Sequence, residues 1–312
     1  MKLLRCKMRR AVLLHVAVVE IVLLMTGLAT AQEKTSFDIS QLRKDAELGD
    51  AEAQSRLGFM YDNEEGVLKD VAEALKWFRK AAEQGDAAAQ YRLGSIYMSG
   101  ENVLKDDEEA VKWYRKAAEQ GDAAAQYKLG CMYMFGENVL KEVVEAVKWF
   151  RKAAEQGHAD AQWILGGMYY RGEGVPKDAT EAVKWLRKAA EQENAKAQFY
   201  LGDVYSRGEG MPKDLAEAVK WFRKAAEQGY AHAQHNLAVM YERGEGVPKD
   251  AAESVKWYRK AAEQEISEDQ WMLGSRYLMG EGVPKDAKEG AKWLRKAAEQ
   301  GNADAQTNFG SI

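Results

Sequence analysis

Tryptophan recurs in this chain at a fixed interval. Trp77, Trp113, Trp149, Trp185, Trp221, Trp257 and Trp293 stand 36 residues apart, with no insertion between them. A glycine keeps the same interval at Gly58, Gly94, Gly130, Gly166, Gly202, Gly274 and Gly310, and Ala238 is the exception. A unit of this length cannot bury its apolar face alone, so neighbouring units must stack to build a continuous core. Seven full units run 51–86, 87–122, 123–158, 159–194, 195–230, 231–266 and 267–302. Residues 38–50 resemble the second half of a unit and 303–312 the first half of another. Both half-units are expected to cap the array.

Each unit reads as two helices. The first opens at Ala-x-Ala-Gln and carries apolar residues at one-face spacing, as in Ala89, Leu93, Gly94 and Tyr97. A loop such as Arg171-Gly172-Glu173-Gly174-Val175-Pro176-Lys177 follows. Its glycines admit positive φ and its proline bars helix continuation. Asp178 with Glu181 has the spacing of a capping box, repeated at Asp70/Glu73, Asp106/Glu109, Asp214/Glu217, Asp250/Glu253 and Asp286/Glu289, with Glu142/Glu145 as the variant. The second helix carries a stripe such as Ala182, Trp185 and Ala189. It ends at Gly85, Gly121, Gly157, Gly229 or Gly301, suited to a left-handed C′ residue. Glu193 and Glu265 replace that glycine at two junctions. Asn194 is expected to take over the role at the first, and a capping box shifted by one residue at Ser267-Glu268-Asp269-Gln270 at the second. The fold class is all-α.

At these residues the chain resembles the Sel1-like repeat family, a subset of the tetratricopeptide-like helical repeats. The matching pattern is Ala-x-Ala-Gln-x-x-Leu-Gly-x-x-Tyr, then Gly-x-Gly-Val-Pro-x-Asp, then Ala-x-x-Trp-x-x-x-Ala-Ala, as it stands from Ala159 to Ala190. The first three units depart from it in the loop, where Leu68, Leu104 and Leu140 replace proline and Asn102 and Asn138 replace the second glycine. The resemblance implies a right-handed α-α superhelix, a solenoid of seven helix-turn-helix repeats. It also implies an adaptor for protein complexes, often in secretory compartments. Some cysteine-rich relatives are described as binding or hydrolysing β-lactams, but those carry a disulfide in each repeat and this chain has none.

The first 31 residues read as an export signal. Lys2, Arg5, Lys7, Arg9 and Arg10 form a basic start, Ala11 to Leu28 is largely apolar, and Ala29-Thr30-Ala31 offers small residues for cleavage. His15 and Glu20 interrupt the apolar run, so an uncleaved N-terminal anchor is the rival reading. With residues 1–31 removed, residues 32–50 precede the repeats and Cys131 is the one remaining thiol. No membrane span is then expected. The expected location is the periplasm or the medium.

Little in the sequence points to chemistry. The formal net charge of −4 is against nucleic-acid binding. No phosphate-binding Gly-x-x-x-x-Gly-Lys, His-Glu-x-x-His or Gly-x-Ser-x-Gly occurs. The Asp-x-x-Glu pairs recur at every second helix and read as caps, not as paired catalytic carboxylates. Neither a catalytic residue nor a cofactor is expected. His232 and His235 form the one metal-like pair, at i, i+3, and a third ligand is conceivable at Glu268.

The informative positions are those that vary. Counting each unit from its first residue, positions 2, 5, 9 and 12 of the first helix change from unit to unit and share one stripe, opposite Leu93 and its equivalents. Position 5 reads Ser55, Tyr91, Tyr127, Trp163, Phe199, His235 and Trp271. Position 12 adds Met98, Met134, Tyr170 and Leu278. Such a ladder would line a groove for a protein or peptide partner. The competing reading is that each ring packs on its neighbour one unit along and extends the core. The expected function is an exported scaffold. A cell-wall or β-lactam-related hydrolase and a purely structural envelope spacer are the alternatives.

Overall fold

The computed structural model describes residues 39–309 apart from 101, 102 and 138. The leader 1–31, residues 32–38, the loop asparagines Asn102 and Asn138, and Gly310 lie outside the described residues. Within them every regular element is helical. The chain divides into two compact units, one up to Ala125 and one from Gln126. The first holds α1 (39–47), α2 (Ala51–Asn63), α3 (Val71–Glu83), α4 (Ala87–Ser99), α5 (Asp107–Glu119) and the opening of α6 (Ala123–Phe135). The second holds the rest of α6, then α7 (Val143–Glu155), α8 (Ala159–Arg171), α9 (Ala179–Glu191), α10 (Ala195–Arg207) and α11 (Leu215–Glu227). It continues with α12 (Ala231–Arg243), α13 (Ala251–Ala262), α14 (Ser267–Met279), α15 (Ala287–Glu299) and α16 (Ala303–Phe309). Even-numbered helices up to α14 are the first of a repeat, and odd-numbered helices from α3 the second. Each unit is thus a stack of helical hairpins, an α-solenoid.

The periodic residues are core. Trp185 is 4% exposed and packs in one cluster with Phe150 of the preceding repeat and Leu165 and Met168 of its own. Trp113 does the same in the first unit, with Phe78 of the preceding repeat and Leu93 of its own. The Lys-Trp-x-Arg-Lys runs shield these indoles from water. Lys188 lies 4.5 Å over the Trp185 ring and Lys116 4.2 Å over Trp113. The recurring glycine serves close approach. A Cβ on Gly130 would come within 2.8 Å of the Phe150 ring, and one on Gly202 within 2.8 Å of Phe222. The residue of the second helix that sits over this glycine, at position 28, is therefore a large apolar side chain at nearly zero exposure, as with Phe78, Phe150, Leu186 and Tyr258.

A buried glutamine ties successive hairpins together. Gln198 of α10 is fully buried. Its Nε2 donates to the Ala190 carbonyl at the end of α9, 3.1 Å away, and its Oε1 accepts from Gln228 at 2.8 Å. The same pair of bonds is made by Gln90 in the first unit and by Gln162 and Gln234 in the second. This is the role of the glutamine in Ala-x-Ala-Gln. The helix-end carbonyl, which already accepts one backbone N–H from the turn that follows, takes its second hydrogen bond from a side chain of the next repeat.

Two expectations about helix ends are corrected. The Asp-x-x-Glu pairs cap in one direction only. Asp178, Asp214 and Asp250 accept from the backbone N–H three residues on. Their own N–H groups donate instead to the Tyr169, Tyr205 and Tyr241 carbonyls of the preceding helix. The glutamates are thus left to pair with Lys184, Lys220 and Lys256. Glu142 makes no side-chain cap bond. At the glycine-less junctions, Glu193 and Glu265 themselves adopt positive φ, +65° and +66°. Asn194 becomes the N-cap of α10, accepting from Ala197. No shifted capping box forms at α14, whose N-cap is Ile266 without a side-chain cap bond.

Candidate functional site

In the second unit, side chains from α6, α8 and α10 enclose a cavity of about 460 Å³. Helix α8 supplies its floor. Trp163, Ile164, Gly167 and Arg171 recur at one-face spacing along it, and Gly167 leaves the gap. The same place in other repeats holds Phe59, Ser95, Cys131, Asp203, Val239 or Ser275. The nearest atom to a Cβ built on Gly167 is Nη1 of Arg171, at 3.2 Å. Helix α6 lines one wall with Tyr127, Cys131, Met134 and Phe135, and α10 the other with Lys196 and Tyr200.

Local packing explains why Trp163 is available here. Its own hairpin partner carries Leu186 over Gly166, where Phe150 and Phe222 stand in the flanking repeats. With no aromatic beneath it, the Trp163 ring sits against Tyr200, centroids 6.3 Å apart, with the Lys196 ammonium 4.6 Å over it. Phe135 closes the rim and is 62% exposed, high for a phenylalanine. Arg171 pairs through Nε with Glu173 at 3.0 Å, and both side chains stand about half in solvent. Tyr127 is hydrogen-bonded to Cys131, and burial pushes the thiol above its ordinary value. Cys131 is therefore a neutral thiol near neutral pH and an apolar part of the wall, not an activated nucleophile.

The comparisons with known proteins place this architecture. The Sel1 repeat model matches residues 51–86, 87–122, 123–158, 159–194, 195–230, 231–265 and 267–302. The chain belongs to the Sel1 repeat family. Among solved structures, it is similar to a protective antigen present in uropathogenic Escherichia coli strains that displays an SLR fold. Identity is 43% and the TM-score 0.83, over 87% of this chain and 58% of that one. The chain thus spans less than two thirds of that antigen's length. It is also similar to a Sel1 repeat protein from Oxalobacter formigenes, at 35% identity and TM-score 0.72, covering 90% and 81% of the two chains. Among curated proteins no relative matches. A Sel1 array is a repeat scaffold of the kind typical of protein–protein interaction, and such proteins are generally not catalysts.

Within this Sel1 array the variable-position ladder does not form one uniform stripe. Tyr127, Met134 and Trp163 meet at the cavity. Tyr170 packs beside it, its phenol raised to about 12 by burial and by a hydrogen bond to Glu209. Phe199 turns onto Phe222 and Tyr230, with centroids at 5.7 and 5.2 Å. Trp271 and Leu278 pack on Leu294 near the end of the array. In the first unit Tyr91 lies 5.6 Å from Tyr114, Ser55 bonds to Asp86, and Met98 is half-buried. Position 5 thus takes both of the places the sequence left open, groove wall and extension of the core. Tyr91, Tyr127, Phe199 and His235 each lie against the aromatic ring at position 28 of their own repeat, with centroids 5.6, 6.0, 5.7 and 6.0 Å apart.

The histidines do not act as a pair. His235 Nδ1 lies 2.8 Å from Oδ1 of Asp269, a fully buried carboxylate at a position where other repeats have alanine. His232 is exposed beside Phe199 and Tyr230. Among the described residues no cluster of three His, Cys, Asp or Glu side chains is placed to hold a metal ion. Among them, too, no helix is long and apolar enough to cross a membrane. Sequence reasoning missed Cys131, Phe135, Ile164, Gly167, Arg171, Lys196 and Tyr200 as site residues. One signal for them was legible. Gly167 is a second glycine inside a helix, where no turn needs it, and it weakens α8 by about 1 kcal/mol.

Proposed function

We propose that this Sel1 array is an exported, non-catalytic scaffold that holds a peptide segment of a protein partner across α6, α8 and α10. The observation that carries the reading is the cavity itself. Three aromatic rings, Tyr127, Trp163 and Tyr200, surround a gap opened by Gly167, with the exposed ring of Phe135 at its rim. Interface energy concentrates in a few aromatic anchors seated in pockets of this kind. A photo-crosslinking amino acid at Phe135 should give a discrete adduct in whole cells, and the same amino acid at Lys184, on the second helix of the fourth repeat, should not. Equal labelling from both faces, or none from Phe135, refutes the groove. Export rests on the basic start, apolar run and Ala-x-Ala of the leader. N-terminal sequencing should then find Gln32 first. An intact Met1 on a membrane-bound species assigns an anchor instead.

A further inference from the structure

The cavity between α6 and α10 has a charge character of its own. On three other first helices an arginine is paired with a carboxylate of a first helix. Arg92 is paired with Asp62 in the first unit, and Arg207 with Asp203 and Arg276 with Glu242 in the second. The lining of this cavity has two cations, Arg171 and Lys196, and no carboxylate. The Lys196 ammonium lies over the Trp163 indole and not against an acid. Arg171, its guanidinium over Gly167, pairs with Glu173, a loop carboxylate in an exposed pair, and such pairs contribute at most about 1 kcal/mol and exchange readily. Two cations thus border an aromatic pocket in a chain whose formal net charge is −4.

We propose that the pocket selects an acidic-aromatic peptide: a large aromatic side chain seated over Gly167 between Trp163 and Tyr200, with carboxylates beside it on Arg171 and Lys196. This rests on reading the groove as a peptide-binding surface and adds the chemistry of what it takes. The aromatic ring fills the gap that the missing side chain leaves, and the one group over Gly167 that has to give way is the flexible, half-exposed Arg171 guanidinium. Its flanking carboxylates exchange water for a guanidinium that binds two oxygens at once and for an ammonium already held in place by the indole. A basic peptide would bring like charge onto both cations and be repelled. An apolar peptide without acids would fill the pocket but leave both cations without new partners.

Three fluorescein-labelled dodecapeptides on a Gly-Ser frame test this with the full chain: one centred on Glu-Trp-Glu, one on Lys-Trp-Lys and one on Glu-Ser-Glu. By fluorescence anisotropy, the first should bind at least about tenfold more tightly than either of the others. Gly167→Leu fills the gap and raises helix propensity, so it should keep the fold and abolish that binding. Arg171→Glu with Lys196→Glu should reverse the preference toward Lys-Trp-Lys. If Glu-Trp-Glu and Lys-Trp-Lys bind alike and Gly167→Leu removes both, the acidic chemistry is wrong while the groove stands. Binding that survives Gly167→Leu, or no binding of Glu-Trp-Glu at roughly millimolar peptide, overturns the pocket assignment. The crosslink from Phe135 then decides separately whether the groove reading falls as well.

Discussion

Trp185 offers a quantitative test of how the hairpins are held together. Its indole is 4% exposed and fills the junction between the third and fourth repeats. An aromatic side chain of this size buries roughly 200 Å², which at about 25 cal/mol per Å² is about 5 kcal/mol of transfer free energy. Alanine retains a small part of this, and the contact with Lys188 adds about 0.5 kcal/mol to the loss. One effect works the other way. The Trp185 Nε1 is buried without a hydrogen-bond partner, and removing an orphaned donor returns about 1 kcal/mol or more. The net expectation for Trp185→Ala is a loss of about 3–4 kcal/mol. Trp185→Phe keeps most of the ring and drops the orphan, so it should cost no more than about 1 kcal/mol. Urea unfolding followed by far-UV circular dichroism reads both. Stacked repeats are coupled only to their neighbours, so the alanine variant should also broaden or split the transition. Trp163→Ala should fall well below Trp185→Ala, since its half-buried ring touches Tyr200 and Lys196 at the groove. If Trp185→Phe costs as much as Trp185→Ala, or Trp163→Ala costs as much as either, the division between junction core and groove is wrong.

Gln198→Leu removes two side-chain hydrogen bonds between successive repeats from a fully buried position, and should lower stability by about 1–2 kcal/mol in urea unfolding; a neutral result would show that the glutamine ladder is ornamental. Glu265→Gly relieves a left-handed non-glycine residue and should raise the melting temperature, by the equivalent of about 1 kcal/mol; the reasoning fails if stability drops. The hydrogen bond to Asp269 raises the His235 pKa above its ordinary 6.5, with Glu268 and Glu242 adding to the effect. A raised folded-state pKa means the protonated pair stabilises fully below about pH 6.5, and the contribution is lost as pH rises through the folded value. The urea midpoint should therefore be higher at pH 6 than at pH 8, and His235→Gln should shrink that difference; an unchanged difference assigns it to other groups.

The sequence by itself determined the repeat, the helix pair, and most of its punctuation. The 36-residue interval, the one-face spacing of Leu93, Gly94 and Tyr97, and the aspartates at Asp178 and its equivalents are local signals. They act through chain periodicity and through backbone groups three or four residues away, so one strand of text carries them. Other features needed the third dimension. Glu181 reads as the second half of a capping box, but the N–H it would accept from is already given to Tyr169 of the preceding helix. Gln198 looks like a polar residue in an alanine run until the helix-end carbonyl it serves comes into view, and the amide that completes the pair lies 30 residues on. The ladder at position 5 has the right spacing for a groove. Whether a ring lines the groove or rests on the core depends on what the packed repeats place beside it, as Tyr200 and Gly167 do for Trp163 and Phe222 for Phe199. Gly167 is the extreme case. A glycine in a helix is an absence, and it becomes a cavity only when the volumes of Tyr127, Trp163 and Tyr200 are set around it by packing between repeats.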